Sequence, residues 1–173
     1  MKFSCEKAIL LNAISIASKA VASRSTIPAL EGILIEINDV VRLTGYNLET
    51  GIQTLLPADI QETGSIVVSA RLFGEIIRKL PDDIVVLSTE NESIHISCNA
   101  AEFNIMGTSA EDFPVLPSVE QVNSFSIPQK TLKAMISQTL FAVSTDDSKP
   151  VHMGSLFEIN QEGLTLVSVD GYR

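Results

Sequence analysis

The sequence predicts an α+β fold, with helices on one face of curved antiparallel sheets. Three observations lead there. First, the chain repeats itself: a shift of 122 positions lays Phe3–Asn38 on Phe125–Asn160 without a gap, and 13 of the 36 pairs are identical. About two identities would arise by chance. Second, short strand patterns outnumber helical ones about three to one. Third, the first 122 residues themselves divide into two βαβββ halves, each with a single helix.

The elements follow in order. Residues 1–5 read as a short strand, and Glu6 to about Val21 as a helix, with Leu10, Ala13, Ile14, Ala17 and Val21 on one stripe. Ser4 lies near its N-cap. The polar turn Ser23-Arg24-Ser25-Thr26 ends at Pro28. Strands are expected at 32–37, 41–45 and 51–56, the first two joined by the turn pair Asn38-Asp39. The second half repeats the order. A strand at 65–69 leads into a helix at 70–80, N-capped by Ser69, carrying Leu72, Phe73, Ile76, Ile77 and Leu80, and stopped by Pro81. Strands at 84–88, 93–97 and 103–107 follow. Pro114 and Pro117 punctuate a linker. The second copy then opens with a strand at 124–127, a helix begun at Pro128 with Leu132, Met135, Ile136 and Leu140 on its stripe, and strands at 155–159 and 164–169.

Composition excludes several classes. With 45% hydrophobic and 19% charged residues the chain is globular rather than disordered. No run approaches the roughly 18 apolar residues of a membrane span. Cys5 and Cys98 make no disulfide framework, so a reducing cytoplasm is the expected compartment.

The net charge of −9 argues by itself against nucleic acid, yet the charges are segregated. The three helices and the loops after them carry nine basic residues (Lys7, Lys19, Arg24, Arg71, Arg78, Lys79, Lys130, Lys133 and Lys149) against four acidic ones. Everything else carries three basic residues against 17 acidic. Glu has the same liking for helices as Lys and Arg, so helix propensity alone does not explain its scarcity there. The exposed neutral positions are small or uncharged: Asn12, Ser15, Ser18, Gln129, Thr131, Ser137, Gln138. Such a face neutralises phosphates without reading bases. It has no interleaved aromatics to stack single-stranded bases, so duplex is the expected ligand.

Catalysis finds no support. Asp82-Asp83 and Asp146-Asp147 read as turns, His95 as an outward strand residue, and His152 has no metal-ligand neighbour in sequence. Gly107-Thr108-Ser109 lacks the remainder of a phosphate loop. No catalytic residue, metal site or cofactor is expected.

Several motifs carry a resemblance: Met1-Lys2-Phe3, Arg24-Ser25-Thr26-Ile27-Pro28, Leu43-Thr44-Gly45-Tyr46-Asn47-Leu48-Glu49, Ser69-Ala70-Arg71-Leu72-Phe73, Arg78-Lys79-Leu80-Pro81, Asp112-Phe113-Pro114 and Val169-Asp170-Gly171-Tyr172-Arg173. In this order and along the whole chain, they resemble the bacterial DNA polymerase III beta subunits, the replicative sliding clamps. The resemblance implies a non-catalytic processivity factor with the DNA-clamp fold. Two subunits of three repeated domains would close a ring around duplex DNA and tether the replicative polymerase, with the clamp loader and other clamp-binding proteins as further partners.

It also implies residue roles. Arg24 corresponds to a loop residue that touches DNA, and Arg71 and Arg78 to positions lining the hole. Lys7, Lys19, Lys79, Lys133 and Lys149 extend the expected DNA face. In the second copy Asp146 stands where Arg24 stands in the first, which departs from a DNA-contacting pattern. Val169, Asp170, Gly171, Tyr172 and Arg173 correspond to one wall of a partner-peptide pocket, with Tyr172 for the usual His and Val169 for the usual Thr. The expected organisation is a complete first clamp domain at 1–118, a linker at 119–124 and the first half of a second domain at 125–173, with a third domain absent. By the repeat period three units need roughly 370 residues, so the chain is expected to be a fragment that does not close the ring by itself. The alternative is a stand-alone protein-interaction module that binds through sheet edges without DNA.

Overall fold

The computed structural model describes residues 1–118, 124–161 and 163–172. The chain divides into two compact units, Met1–Ser118 and Val119–Arg173. The linker expected at 119–124 lies, apart from Ser124, outside the described residues.

In the first unit the chain runs β1 (Lys2–Glu6), α1 (Lys7–Ala17), β2 (Gly32–Ile37), β3 (Val41–Tyr46), β4 (Gly51–Leu56), β5 (Asp59–Glu62), β6 (Gly64–Ser69), α2 (Ala70–Lys79), β7 (Ile84–Glu90), β8 (Ser93–Cys98) and β9 (Ala101–Thr108). The strands lie in the order β4-β3-β2-β6-β9-β8-β7-β1-β5, and every pairing is antiparallel. β6 and β9 meet through only Val67↔Thr108 and Val68↔Gly107, so the sheet is two sheets hinged at that seam.

The pairing shows how the two halves are joined. β1 leaves its own half and pairs with β7, Phe3 opposite Leu87 and Glu6 opposite Ile84. β6 makes the reciprocal move and pairs with β2, Val68 opposite Ile33 and Ser69 opposite Gly32. Each half thus lends its first strand to the other half's sheet, in corresponding register. Period-2 alternation then turns the apolar residues of both sheets to one side. There Phe3, Leu10, Ile14, Ile33, Ile35, Leu43, Phe73, Ile77, Leu87, Ile94 and Ile96 make a single core.

The helices close over that core. α1 buries Leu10, Ala13, Ile14 and Ala17, one face at helical spacing. It ends where the Ser18 hydroxyl donates to the Ile14 carbonyl at 2.6 Å and a 3-10 turn, Ser18–Ala20, follows. In α2 the Ser69 side chain accepts from the Leu72 backbone N–H, Phe73, Gly74 and Ile77 are buried, and Pro81 follows the C-cap. Gly74 faces α1: a Cβ there would meet Ile14 Cγ2 at 3.5 Å, an ordinary van der Waals distance. A smaller cluster, Ala29, Leu30, Tyr46, Val67 and Phe113, forms apart from this core.

Four sequence expectations need correction. The strand β5 was not expected, because Asp59–Glu62 has no apolar alternation; β1 recruits it as its second neighbour. Leu72 is 47% exposed rather than on the buried stripe, since Phe73, Gly74 and Ile77 already define the inward face of α2. Glu6, not Ser4, is the N-cap residue of α1 and makes no side-chain cap. Residues 124–128 form no strand. The equivalent β1 pairs with β5 and β7, and a shift of 122 puts the counterparts of both beyond position 173.

The second unit contains α3 (Gln129–Thr139), begun after Pro128, and the hairpin β10 (Leu156–Asn160) and β11 (Gly163–Val167). Ala142 is its one buried hydrophobic among the described residues.

Two expected outcomes arise here. A Cβ at Gly45 would run into the Ala17 carbonyl at the end of α1. Gly45→Ala is therefore expected to lower the unfolding free energy of the first unit by about 1–3 kcal/mol, read as a shifted urea midpoint with unchanged slope. Cys5 is only 6% exposed. Burial, aided by the charge of Glu6, pushes its thiol up from the ordinary 9.0 to about 12. Below pH 9 both the folded and the unfolded chain hold that proton. As pH rises from 9 toward 12 only the unfolded chain releases it, so stability falls, by up to about 1.4 kcal/mol per pH unit. Cys5→Val is expected to flatten the loss of stability between pH 8 and 10.5; identical slopes for both proteins would refute this.

Candidate nucleic-acid interface

A groove of about 820 Å³ runs between α1, the loop that follows it, and α2. The β6 residues Val67 and Val68 contribute to its lining. Ser15 and Ser18 come from the outward side of α1 and its end, Ser23 from the loop, and Arg71 and Arg78 from α2. The one-residue offset between Arg78 and the buried Ile77 turns its guanidinium outward, and Arg71 stands two turns earlier on the same side.

Arg71 donates from Nε to Glu75 at 3.2 Å, and its side chain is 84% exposed. An exposed pair at this helical spacing contributes only about 0.3–0.5 kcal/mol, so the guanidinium can exchange Glu75 for a phosphate at small cost. Arg78 and Arg24 are exposed and make no ion pair among the described residues. Arg24 is held in place by its loop. The Ser25 N–H donates to Glu31 Oε1 at 3.0 Å, the Ile27 N–H to Ser25 Oγ at 3.1 Å, and the Ala22 N–H to the Leu30 carbonyl at 3.0 Å. Pro28 starts the 3-10 turn that carries Glu31. Glu31 is a positioning residue that sequence reasoning missed; the closeness of Ser25 and Glu31 in the chain was its only signal.

The remaining expected DNA-face residues divide. Lys19 and Lys79 are exposed at the ends of their helices. Lys7 is not free: its ammonium meets Asp82 Oδ1 at 2.7 Å with its side chain only 13% exposed, and its N–H donates to the Asp83 carbonyl. It ties α1 to the turn before β7. In the second unit Lys130, Lys133 and Lys149 are exposed. The loop ahead of Lys149 is an acidic turn. Asp146 accepts from the Ser148 N–H at 3.0 Å, and bonding from the Ser148 side chain and backbone holds its carboxyl below the ordinary range. The counterpart of Arg24 is thus a fixed negative charge at neutral pH.

Of the residues expected to wall a partner pocket, Val169 is 46% and Tyr172 99% exposed. Asp170 Oδ1 accepts from the Tyr172 N–H at 3.0 Å, and Gly171 takes the left-handed φ of +92° that this turn requires. Arg173 lies outside the described residues. His95 Nδ1 lies 2.9 Å from Asn104 Oδ1, a cross-strand pair on β8 and β9. No group of three or more potential metal ligands occurs among the described residues.

Comparison with known proteins now decides the family. Residues 1–117 match the family model for the DNA polymerase III beta subunit, N-terminal domain, and residues 126–173 that for its central domain. The chain belongs to the DNA polymerase III beta subunit family. A relative named beta sliding clamp in Bacillus subtilis is 36% identical over 183 aligned positions, covering 100% of this chain and 48% of the relative. One of the same name in Synechocystis is 34% identical, covering 100% and 47%. Among solved structures, a putative DNA polymerase III beta subunit from Eubacterium rectale superposes with a TM-score of 0.94 at 42% identity, covering 99% of this chain and 47% of that one. The Bacillus subtilis DNA polymerase sliding clamp superposes at 0.93 with 37% identity, covering 98% and 47%. The chain therefore spans about half the length of the beta subunits it matches, and within that half the clamp fold is shown.

Proposed function

We propose that these residues are part of a DNA replication processivity factor, a sliding clamp that encircles duplex DNA and tethers a replicative polymerase. The observation that carries the reading is the groove face. Arg71 and Arg78 line it beside Ser15, Ser18 and Ser23, with no aromatic group in the lining to hold a base, and Arg24 is exposed on the loop that borders it. Such a surface attracts phosphates and lets them pass, the electrostatics of sliding. Lys19 and Lys79 extend it on the first unit, and Lys133 and Lys149 offer further cations on the second; Lys7, held by Asp82, is its weakest member.

In this reading 1–118 is the first clamp domain, 119–124 a linker and 125–173 the opening half of the second. The complete protein would be a homodimeric cytoplasmic ring served by a clamp loader, and the fragment alone would not close it. An accessory subunit of this kind leaves nucleotidyl transfer to the polymerase and needs no cofactor. Residues 169–173 would contribute one wall of a pocket for partner peptides. Sheet continuation between subunits is supported by β9, whose residues 101–106 pair, among the described residues, only with β8. There Phe103 is 39% and Met106 72% exposed, with Leu72 on the adjoining α2.

The test uses the complete protein loaded on nicked circular duplex. Retention in roughly 0.5 M salt, where contacts to phosphate are screened, and loss on cutting the circle are the expected results. Equal retention on circular and linear duplex would overturn the ring, and no binding to either would favour a protein-interaction module.

A further inference from the structure

The smaller apolar cluster of the first unit lies apart from the main core and joins three stretches of chain. The sheet gives it Leu34, Tyr46 and Val67. The loop that carries Arg24 gives it Ala22, Ile27, Ala29 and Leu30. A strap at 109–118, after β9, gives it Phe113 and Leu116.

The residues of the strap explain why Phe113 turns inward. Ser109 Oγ accepts from the Glu111 N–H at 3.2 Å and starts a 3-10 turn, Ala110–Asp112. Pro114 disfavours helical backbone at the residue before it, and Phe113 is extended, with φ −85° and ψ 122°. The turn stops there and the ring leaves solvent: Phe113 is 6% exposed, whereas Val115, beyond the proline, is 91% exposed. Leu116 then returns to the sheet beside Gly51, where a Cβ would meet its Cδ2 at 2.6 Å.

The Arg24 loop has few other anchors. Residues 21–27 belong to no helix or strand. The bond from the Ser25 N–H to Glu31 is open to water, where it contributes little net stability. The deeper anchor is apolar. Leu30 is 1% exposed, and it immediately precedes Glu31, which holds Ser25 next to Arg24. Phe113 and Tyr46 are the aromatic members of the cluster. A buried aromatic ring covers about 150–250 Å², so deleting that of Phe113 opens the cluster that keeps Leu30 in place.

We propose that Phe113 is a positioning residue for the DNA face: it packs the strap against the loop and so fixes the place from which Arg24 meets phosphate. A loop already ordered loses less conformational entropy when it meets its ligand. The inference rests on the reading of Arg24 as a DNA contact. It goes beyond that reading by tying the contact to the stretch through which the chain leaves the first unit.

The test uses the complete protein carrying Phe113→Ala, or Phe113→Leu, which keeps an apolar side chain in the cluster. Phe113 lies outside the main core, so both variants are expected to fold. In Phe113→Ala, amide exchange at Ser25 and Ile27 is expected to quicken at least roughly tenfold, while Leu87 and Ile96 in the main core keep their rates. Affinity for a short linear duplex at ~0.1 M salt is expected to fall about threefold, with a salt slope smaller by up to about 0.9, one phosphate contact. Phe113→Leu is expected to recover most of both. Arg24→Ala by itself is expected to weaken binding about 5–10-fold, and adding Phe113→Ala to it is expected to change affinity no further. Unchanged exchange at Ser25 and Ile27, or the same loss of affinity with and without Arg24, would overturn the proposal. Faster exchange with duplex binding indifferent to Arg24→Ala would uphold the packing and strike Arg24 from the DNA face, so the two readings fail separately.

Discussion

Replacing Arg24, Arg71 and Arg78 together with Glu is expected to weaken duplex binding by the complete protein about 10²–10³-fold at ~0.1 M salt. The same change should reduce the slope of log affinity against log salt by about 2.7, three lost phosphate contacts at about 0.9 each. The three side chains are exposed and support no core residue, so the thermal midpoint is expected to stay in place. Arg→Lys at the same positions keeps the charge and is expected to recover most of the affinity, because the face neutralises phosphate rather than gripping it in a bidentate fork. An unchanged salt slope in the Glu variant would remove the main support for sliding on this face and leave the interaction-module reading standing.

The largest expected loss of stability is at Phe3. It is fully buried in the core, opposite Leu87 on a strand that belongs to one half and pairs with the other. Phe3→Ala is expected to cost about 3–5 kcal/mol in the unfolding of the first unit, read from denaturant midpoints. Such a loss is a large part of the stability of a domain this size. Phe125 occupies the same place in the repeat and is 51% exposed. Phe125→Ala is expected to leave the first unit's midpoint unmoved. If the two substitutions had equal effects, the assignment of the core to the first unit's strand exchange would be wrong.

Much of this was legible without coordinates. The self-match of Phe3–Asn38 with Phe125–Asn160 announced two copies of one design. Helical spacing placed Leu10, Ala13, Ile14 and Ala17 inside, where they are. The local chemistry of Ser69 and Pro81 marked the ends of α2. The segregation of Lys and Arg onto the helices and their loops marked nine cations, because charge and period are both properties of the chain itself, and the family resemblance singled out Arg24, Arg71 and Arg78 among them.

Other features left no local trace. That β1 joins β7 rather than β2 is a choice between partners far apart in sequence, and either would satisfy the same alternation. β5 is a strand only because β1 has an edge to offer it. Lys7 reads as one more cation until the fold brings Asp82 within 2.7 Å. Glu31 reads as one more acid until the loop folds Ser25 back onto it.

The sequence by itself determined the periodicities, the repeat and the sign of the charge on each face, since these are set by residues a few positions apart. Only the tertiary structure decided which strands pair and which cations are tied down. Such contacts join residues far apart in sequence: β1 meets β7, and Lys7 meets Asp82 75 positions away.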